Sequence, residues 1–348
     1  MEKKEIRVGI VGYGWVAGAH LKALNAIDGC AVAAICSRRA LDTGVLRQQY
    51  NSPISVYSDF NKMLADKTLD VISICTPHHL HADQAVAAAT AGKHLILEKP
   101  AALLLDDINR IERTVKKSGV RAIVCFEGRS HGLALVIRDF ISKGFIGHIH
   151  YAEVDYFHGI GPWYKQYAWN VKKAMGGSSL LTAGCHALHG LLWIMGAKPV
   201  EVMSYGTKSE NPDFQPYEYP TSTVSILKFE NGAVGKCASV IDCVQPYEGQ
   251  IRLVGSKGSI LNDGFHTTEI HGLDKSGWSK FNTLVGRSGD VMDHPYVTLF
   301  SDFISAVRHE RPPMFDFTES LFSHRVCLAA DHALETGKPV KISDFVSD

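Results

Sequence analysis

Apolar residues in the first third of the chain cluster in short, predominantly apolar runs at 6–11, 31–36, 71–75, 94–97 and 121–126. Runs of this length, rich in Val and Ile and without polar alternation, predict strands buried on both faces. Between them the apolar period lengthens to that of a helix. One helix follows the first run and stops at Asp28-Gly29, one spans 59–65 after Ser58, an Ala-rich one spans about 80–91 before Gly92, and one spans 106–118 before Gly119. Strands alternating with such helices predict a parallel sheet covered on both sides, with ligands at the carboxyl ends of its strands.

Beyond a helix at 133–143 the pattern changes. Residues 148–157 alternate as a half-buried strand does, and 200–207, 221–230 and 233–241 follow, the last two joined by the hairpin signal Asn231-Gly232. Shorter strands are expected at 250–254, 259–261 and 267–271, helices at 179–195, 295–309 and 319–336, and a final strand at 338–342. The expectation is therefore an α/β chain: a Rossmann dinucleotide-binding domain over 1–125, then an α+β domain over 126–348 with a large, mostly antiparallel open sheet. The C-terminal helix is expected to cross back onto the first domain.

Composition narrows the class. Lys and Arg total 36 against 36 Asp and Glu, with no basic stripe, which argues against nucleic acid. The 8 cysteines include no CxxC pair and sit mostly in apolar runs, as buried thiols of a reducing compartment do. The N-terminus leads straight into a strand, with no signal-peptide core and no apolar run long enough for a membrane span. A cytoplasmic chain follows as the expectation.

The first strand runs directly into Gly12-Tyr13-Gly14-Trp15-Val16-Ala17. Gly12 permits a tight turn, Gly14 a close approach of backbone to a pyrophosphate, and Ala17 close packing of the next helix, whose N-terminus faces the phosphates. After the second strand comes Ser37-Arg38-Arg39 rather than an acidic residue, which favours the 2′-phosphate of NADP over the free hydroxyl of NAD. Thr76, Glu98 and Lys99 all fall at strand ends.

Three motifs in this order resemble the glucose-fructose oxidoreductase and inositol dehydrogenase family (Gfo/Idh/MocA). They are the Gly12 turn with His20 downstream, Ala91-Gly92-Lys93-His94 leading to Glu98-Lys99-Pro100, and 176–186 ending in His186. Thr76-Pro77 with His81 also matches, except that His78 stands where the family usually has Asn. The resemblance implies an NAD(P)-dependent oxidoreductase of a sugar, sugar derivative or cyclitol, with Lys99 and His186 as catalytic lysine and histidine. It implies that Glu98 flanks the cofactor, with Thr76, Pro77 and His81 near its adenosine side, and that the chain forms a homodimer or homotetramer through the open sheet. One departure stands out: Thr182 occupies the position, four residues before His186, where the family usually has Asp.

The residues themselves fit that chemistry. Oxidising a carbinol removes a hydroxyl proton as the C–H hydride leaves for the nicotinamide, which calls for a base near neutral pKa and a donor holding the oxygen. His186 supplies the first and Lys99 the second, while Thr182, on the same face of the expected helix, offers His186 a hydroxyl without charge. Glu127, Arg129, His158, Trp163, Tyr164 and His266 are expected to line a substrate pocket from the second domain. No metal is expected, since Cys185, His186 and His189 lie on one helix turn without a distant fourth ligand. Two rivals remain: glycoside cleavage by transient oxidation with a recycled cofactor, and a non-catalytic cofactor-loaded sugar sensor.

Overall fold

The computed structural model describes residues 5–50, 52–283 and 294–346. The first four residues, read above as the lead into the first strand, lie outside this range. The chain divides into two compact units, Met1–Glu127 with His294–Leu321, and Gly128–Asp293 with Phe322–Asp348.

In the first unit, strands β1 (Ile6–Val11), β2 (Cys30–Cys36), β3 (Ser55–Tyr57), β4 (Val71–Ile74), β5 (His94–Leu97) and β6 (Ala122–Val124) form a sheet in the order β3-β2-β1-β4-β5-β6. Every pairing is parallel. This is the doubly wound order whose direction reverses between β1 and β4, where such sheets open a ligand crevice. The central strands are apolar on both faces because both are covered: Val8, Ile10, Ile72 and Ile74 are fully buried. The turn after β1 is held by the Gly12 amide donating to the Cys36 carbonyl. Gly12 has φ +87°, and a Cβ there would lie 2.7 Å from the Cys75 carbonyl oxygen, so both backbone angle and packing demand glycine.

Two elements of this unit escape the hydrophobic pattern, the helix Thr43–Tyr50 and β3, an edge strand with no buried residue. The helix Phe60–Leu64 starts where Asp59 accepts hydrogen bonds from the amides of Asn61 and Lys62. The helix Tyr296–Arg308 packs on the helix Trp15–Asn25, with Tyr296 and Phe300 against the His20 ring. Tyr296–Arg308 belongs to the first unit, and all but the first residues of Phe317–Thr336, the helix expected to cross back, belong to the second.

The second unit contains β7 (Ile149–Phe157), β8 (Pro199–Thr207), β9 (Ser222–Phe229), β10 (Val234–Val240), β11 (Glu248–Gly255), β12 (Gly258–Leu261), β13 (Gly264–Thr267), β14 (Ser279–Lys280) and β15 (Val340–Lys341). Among the described residues these form one sheet, β14-β13-β12-β11-β7-β10-β9-β8-β15, in which only β7 and β10 pair in parallel. The strand expected at 267–271 lies earlier, as β13, because the chain turns back on β12 at Asn262-Asp263, where Asn262 has φ +52°. The helix Cys185–Met195 covers one face of β7 and β10. On β9, Thr223, Ser225, Leu227 and Phe229 are buried while Val224 and Ile226 are exposed, so an apolar stripe faces outward. Among the described residues no helix is long and apolar enough to cross a membrane.

Candidate active site

The first unit presents its strand ends as follows. The helix Trp15–Asn25 begins at Gly14 with no side-chain cap from that residue and no acidic residue in its first turn. A Cβ on Gly14 would meet no atom within 4 Å. Unlike Gly12, Gly14 is not required by contact with the protein's own atoms, and the backbone there is open to approach from outside. Both features fit a dinucleotide pyrophosphate. Around the turn, the Tyr13 hydroxyl meets that of Tyr50 at 3.0 Å, and the Arg39 guanidinium donates to the Tyr13 carbonyl. Ser37 is buried and accepts from the Arg39 amide at 3.1 Å, while Arg38 is exposed.

Glu98, expected to flank the cofactor, follows β5. It is 6% exposed and turns into the unit, where Oε1 accepts from His20 Nε2 at 2.9 Å and from the Tyr296 hydroxyl at 3.1 Å. Its other oxygen accepts from the Lys99 amide at 3.2 Å, and His20 Nδ1 lies 2.8 Å from Ser73 Oγ. Burial disfavours charge on both partners, but their mutual contact overcomes it. Cys75 and Glu98 hold the His20 pKa above the ordinary histidine range, and His20 and Lys99 hold the Glu98 carboxyl below the ordinary carboxylate range. The result is a buried ion pair that fixes the turn carrying Lys99, itself half-buried.

His81 is fully buried, with its ring nitrogens 2.7 Å from the Pro100 carbonyl and 2.8 Å from the Thr76 carbonyl. It therefore ties the loop after β4 to the loop after β5. Thr76 and Pro77 are half-buried, and the Thr76 hydroxyl donates to Gln84 Oε1 at 2.6 Å. His20, Glu98 and Cys125 bring ligand atoms within 4.8 Å of one another, yet both His20 nitrogens already have protein partners.

Glu127 belongs to the first unit, not to a substrate face of the second. Burial pushes its carboxyl pKa up, the Glu98 charge adds to that, and His294, 3.2 Å away, opposes it.

In the second unit the helix carrying His186 is not uniform. Residues Leu180–Gly184 form a π turn before the α-helix Cys185–Met195. A Cβ on Gly184 would lie 2.4 Å from Ser239 Cβ, so the wide turn sits directly on β10. Such turns gather at functional sites. Ser178 Oγ accepts from the Leu181 amide at 3.0 Å and donates to Asp331 at 2.7 Å, which anchors the start. Thr182 is buried, and its hydroxyl lies 2.6 Å from Asn170 Oδ1 and 3.0 Å from the Gly176 carbonyl. Its hydroxyl thus meets Asn170 and the Gly176 turn.

Arg129 is also reassigned. Its guanidinium lies over the Trp193 ring at 5.0 Å and donates to His189 Nε2 at 3.3 Å. His189 then carries its proton on Nδ1 and donates to Ser323 at 2.8 Å; burial and the Arg129 charge hold its pKa well below the ordinary value. Of the remaining expected contacts, His158 and Tyr164 come together: His158 Nδ1 meets the Tyr156 hydroxyl at 2.9 Å and Nε2 meets the Tyr164 hydroxyl. Half-buried His186 stacks on Tyr156, with centroids 6.1 Å apart and planes at 13°. Trp163 is 61% exposed and stands edge-on to Phe214. His266 lies on β13, its Nε2 3.3 Å from the Lys275 carbonyl. Tyr156 and Tyr247 complete the ring cluster, and no sequence signal marked either.

A doubly wound sheet, a phosphate-ready helix N-terminus and a lysine at a neighbouring strand end define a dinucleotide-dependent oxidoreductase. Residues 6–126 match the model described as "Oxidoreductase family, NAD-binding Rossmann fold", and residues 135–261 match the GFO/IDH/MocA C-terminal domain. The chain belongs to the Gfo/Idh/MocA family of oxidoreductases. It is similar to the myo-inositol 2-dehydrogenase of Thermotoga maritima, at 24% identity over 98% of this chain and 100% of that one. It is 26% identical to the D-glucoside 3-dehydrogenase of Escherichia coli over 67% of this chain and 70% of that one. Its fold is that of the scyllo-inositol dehydrogenase of Lactobacillus casei, solved with NAD(H) and scyllo-inositol bound, with TM-score 0.81, 17% identity and coverage of 98% and 100%.

Proposed function

We propose that the protein oxidises a ring carbinol of a cyclitol or sugar with NAD(P) as hydride acceptor. The observation that carries this reading is the turn at Gly12–Gly14: a helix N-terminus without a side-chain cap, under a glycine that its own packing does not require. The names of the inositol and glucoside dehydrogenases above support the substrate class. Gly12 to Val16 hold the pyrophosphate, Thr76 and Pro77 border the adenosine side, and the bound nicotinamide supplies the hydride acceptor. Lys99 donates to the substrate oxygen and His186 takes its proton. The test is turnover of myo-inositol, scyllo-inositol and glucosides with each dinucleotide, read by the absorbance of reduced nicotinamide. Glycoside consumption without net reduced cofactor would instead favour the elimination chemistry.

The cofactor choice is proposed as NADP. Ser37-Arg38-Arg39 supports this, since Arg38 is exposed beside the buried Ser37 and these three positions hold no carboxylate to read a 2′-hydroxyl. NADP is expected to bind more tightly than NAD, and Arg38→Ala to erase the difference, about 1.5–3 kcal/mol for one charge-assisted contact. Equal affinities in the parent protein, measured by calorimetry, would refute the preference.

Assembly as a homodimer or homotetramer is proposed through the open sheet, where Tyr205, Val224, Ile226 and Val234 are exposed. Ile226→Lys is expected to shift the light-scattering mass down to the monomer. A parent that is already monomeric would overturn this.

A further inference from the structure

Trp163 stands at the tip of a short, pinned loop. The Tyr164 amide donates to the Gly161 carbonyl at 2.9 Å, so residues 161–164 form a turn with Pro162 in its second position and Trp163 in its third. The approach to the turn is fixed as well: the Ile160 amide donates to the Ile241 carbonyl at 2.8 Å, and the Ile160 carbonyl accepts from the buried Tyr217 hydroxyl at 2.8 Å. A Cβ on Gly161 would lie 2.4, 2.5 and 2.8 Å from three adjacent atoms of the indole's six-membered ring. An atom that approaches a ring edge meets one ring atom well before its two neighbours, so these similar distances put Gly161 under the face. Glycine is there to seat the ring. With that face covered, the 61% exposure of Trp163 leaves the opposite face to solvent.

A fixed indole with one open face has a use that a buried one lacks. Its π face is negative and attracts groups with a positive edge, as the C–H face of a pyranose is, and a ring already held in place loses little freedom on stacking. A protein partner would call for a contiguous apolar patch. Beside Trp163 stand instead the exposed Lys165 and the Tyr164 hydroxyl, which pairs with His158 Nε2. One apolar face among hydrogen-bonding groups matches a sugar. Its place fits too. From half-buried His186 the rings pass to Tyr156, His158 and Tyr164 at centroid distances of 6.1, 5.8 and 5.0 Å, all of them half-buried, and the exposed Trp163 adjoins Tyr164 in the chain. All these residues belong to the second unit. A sugar ring whose carbinol reaches His186 lies among the half-buried rings, which leaves the indole for what that ring carries.

We infer that Trp163 is a stacking platform for the second ring of a glycoside, so that the substrate is a two-ring glycoside rather than a free cyclitol, an inference that rests on the carbinol oxidation and the role of His186 proposed above. The deciding quantity is the ratio of kcat/KM for a two-ring over a one-ring substrate. Methyl α-maltoside over methyl α-glucoside and methyl β-cellobioside over methyl β-glucoside give it for both anomers. The parent should favour the two-ring sugar about tenfold in one of these series, and Trp163→Ala should abolish the preference, as for loss of one aromatic stack. Trp163→Phe should keep part of it. Gly161→Ala retains the tryptophan but puts a methyl group where its ring rests, and should lower the ratio as Trp163→Ala does. A parent without the preference, or a ratio that survives in Trp163→Ala, would overturn the platform. Circular dichroism checks folding, and if Gly161→Ala fails to fold, the two tryptophan variants still decide. If light scattering shows that Trp163→Ala lowers the mass while the ratio holds, the ring belongs to a contact between copies and the platform falls. A parent inactive on every sugar and cyclitol overturns the functional reading instead. Saturation-transfer NMR with methyl α-maltoside and methyl β-cellobioside then judges the platform alone: it stands if a signal from one sugar ring in the parent disappears in Trp163→Ala, and falls if the parent gives none or the variant keeps it.

Discussion

Lys99→Met and His186→Asn are each expected to lower kcat by a factor on the order of 10² or more while leaving dinucleotide affinity near that of the parent. Methionine keeps most of the lysine's apolar stem and removes the ammonium; asparagine keeps a polar group and removes the base. Neither change touches the Gly12–Gly14 turn, so binding of the cofactor reports separately on the first unit. Near-full turnover by either variant on a substrate the parent oxidises would remove that residue from the chemistry.

The second large effect is on stability. Glu98→Ala removes the carboxylate that accepts from His20, Tyr296 and the Lys99 amide, and leaves the His20 ring buried without its counter-charge. Breaking such a pair costs about 3–5 kcal/mol, read as a lower urea midpoint. The pair also sets a pH window. Glu98, with its pKa lowered on folding, contributes stability that is fully present above the ordinary carboxylate pKa and is lost as pH falls through the folded value. His20, with its pKa raised, contributes stability that is fully present below the ordinary histidine pKa and is lost as pH rises through the folded value. The parent should therefore be most stable in mildly acidic solution and lose stability on both sides, and Glu98→Ala should flatten that curve. An unchanged urea midpoint in the variant would show that Glu98 and His20 are not paired.

The parallel sheet and the Gly12 turn were legible because strands buried on both faces must be apolar throughout, and a turn with positive φ against a neighbouring strand must be glycine. Strand ends were legible for the same reason, and with them Thr76 and Lys99. The partners of buried polar groups were not legible. Glu98 and His81 meet groups far away in sequence, His20, Tyr296 and two carbonyls, which no local pattern announces. One signal was available. Ser73 is a hydroxyl inside the apolar strand Val71–Ile74, and a polar group there must find a partner, which is His20. The π turn left no trace, since over one turn its wider period places apolar residues much as an α-helix does. Tyr156 was hidden because an aromatic on an alternating strand is what any half-buried sheet contains.

The two glycines of the first turn answer to different judges. Gly12 is required by the Cys75 carbonyl and by its own backbone angle, whereas a side chain at Gly14 would meet no atom of the chain within 4 Å. A descendant that ceased to use a dinucleotide would feel no pressure to keep Gly14, yet it would have to keep Gly12 to fold. Drift would then write the loss of the cofactor into one position of the turn and leave the other as a relic of ancestry, so that the pair dates a change of trade from sequence alone.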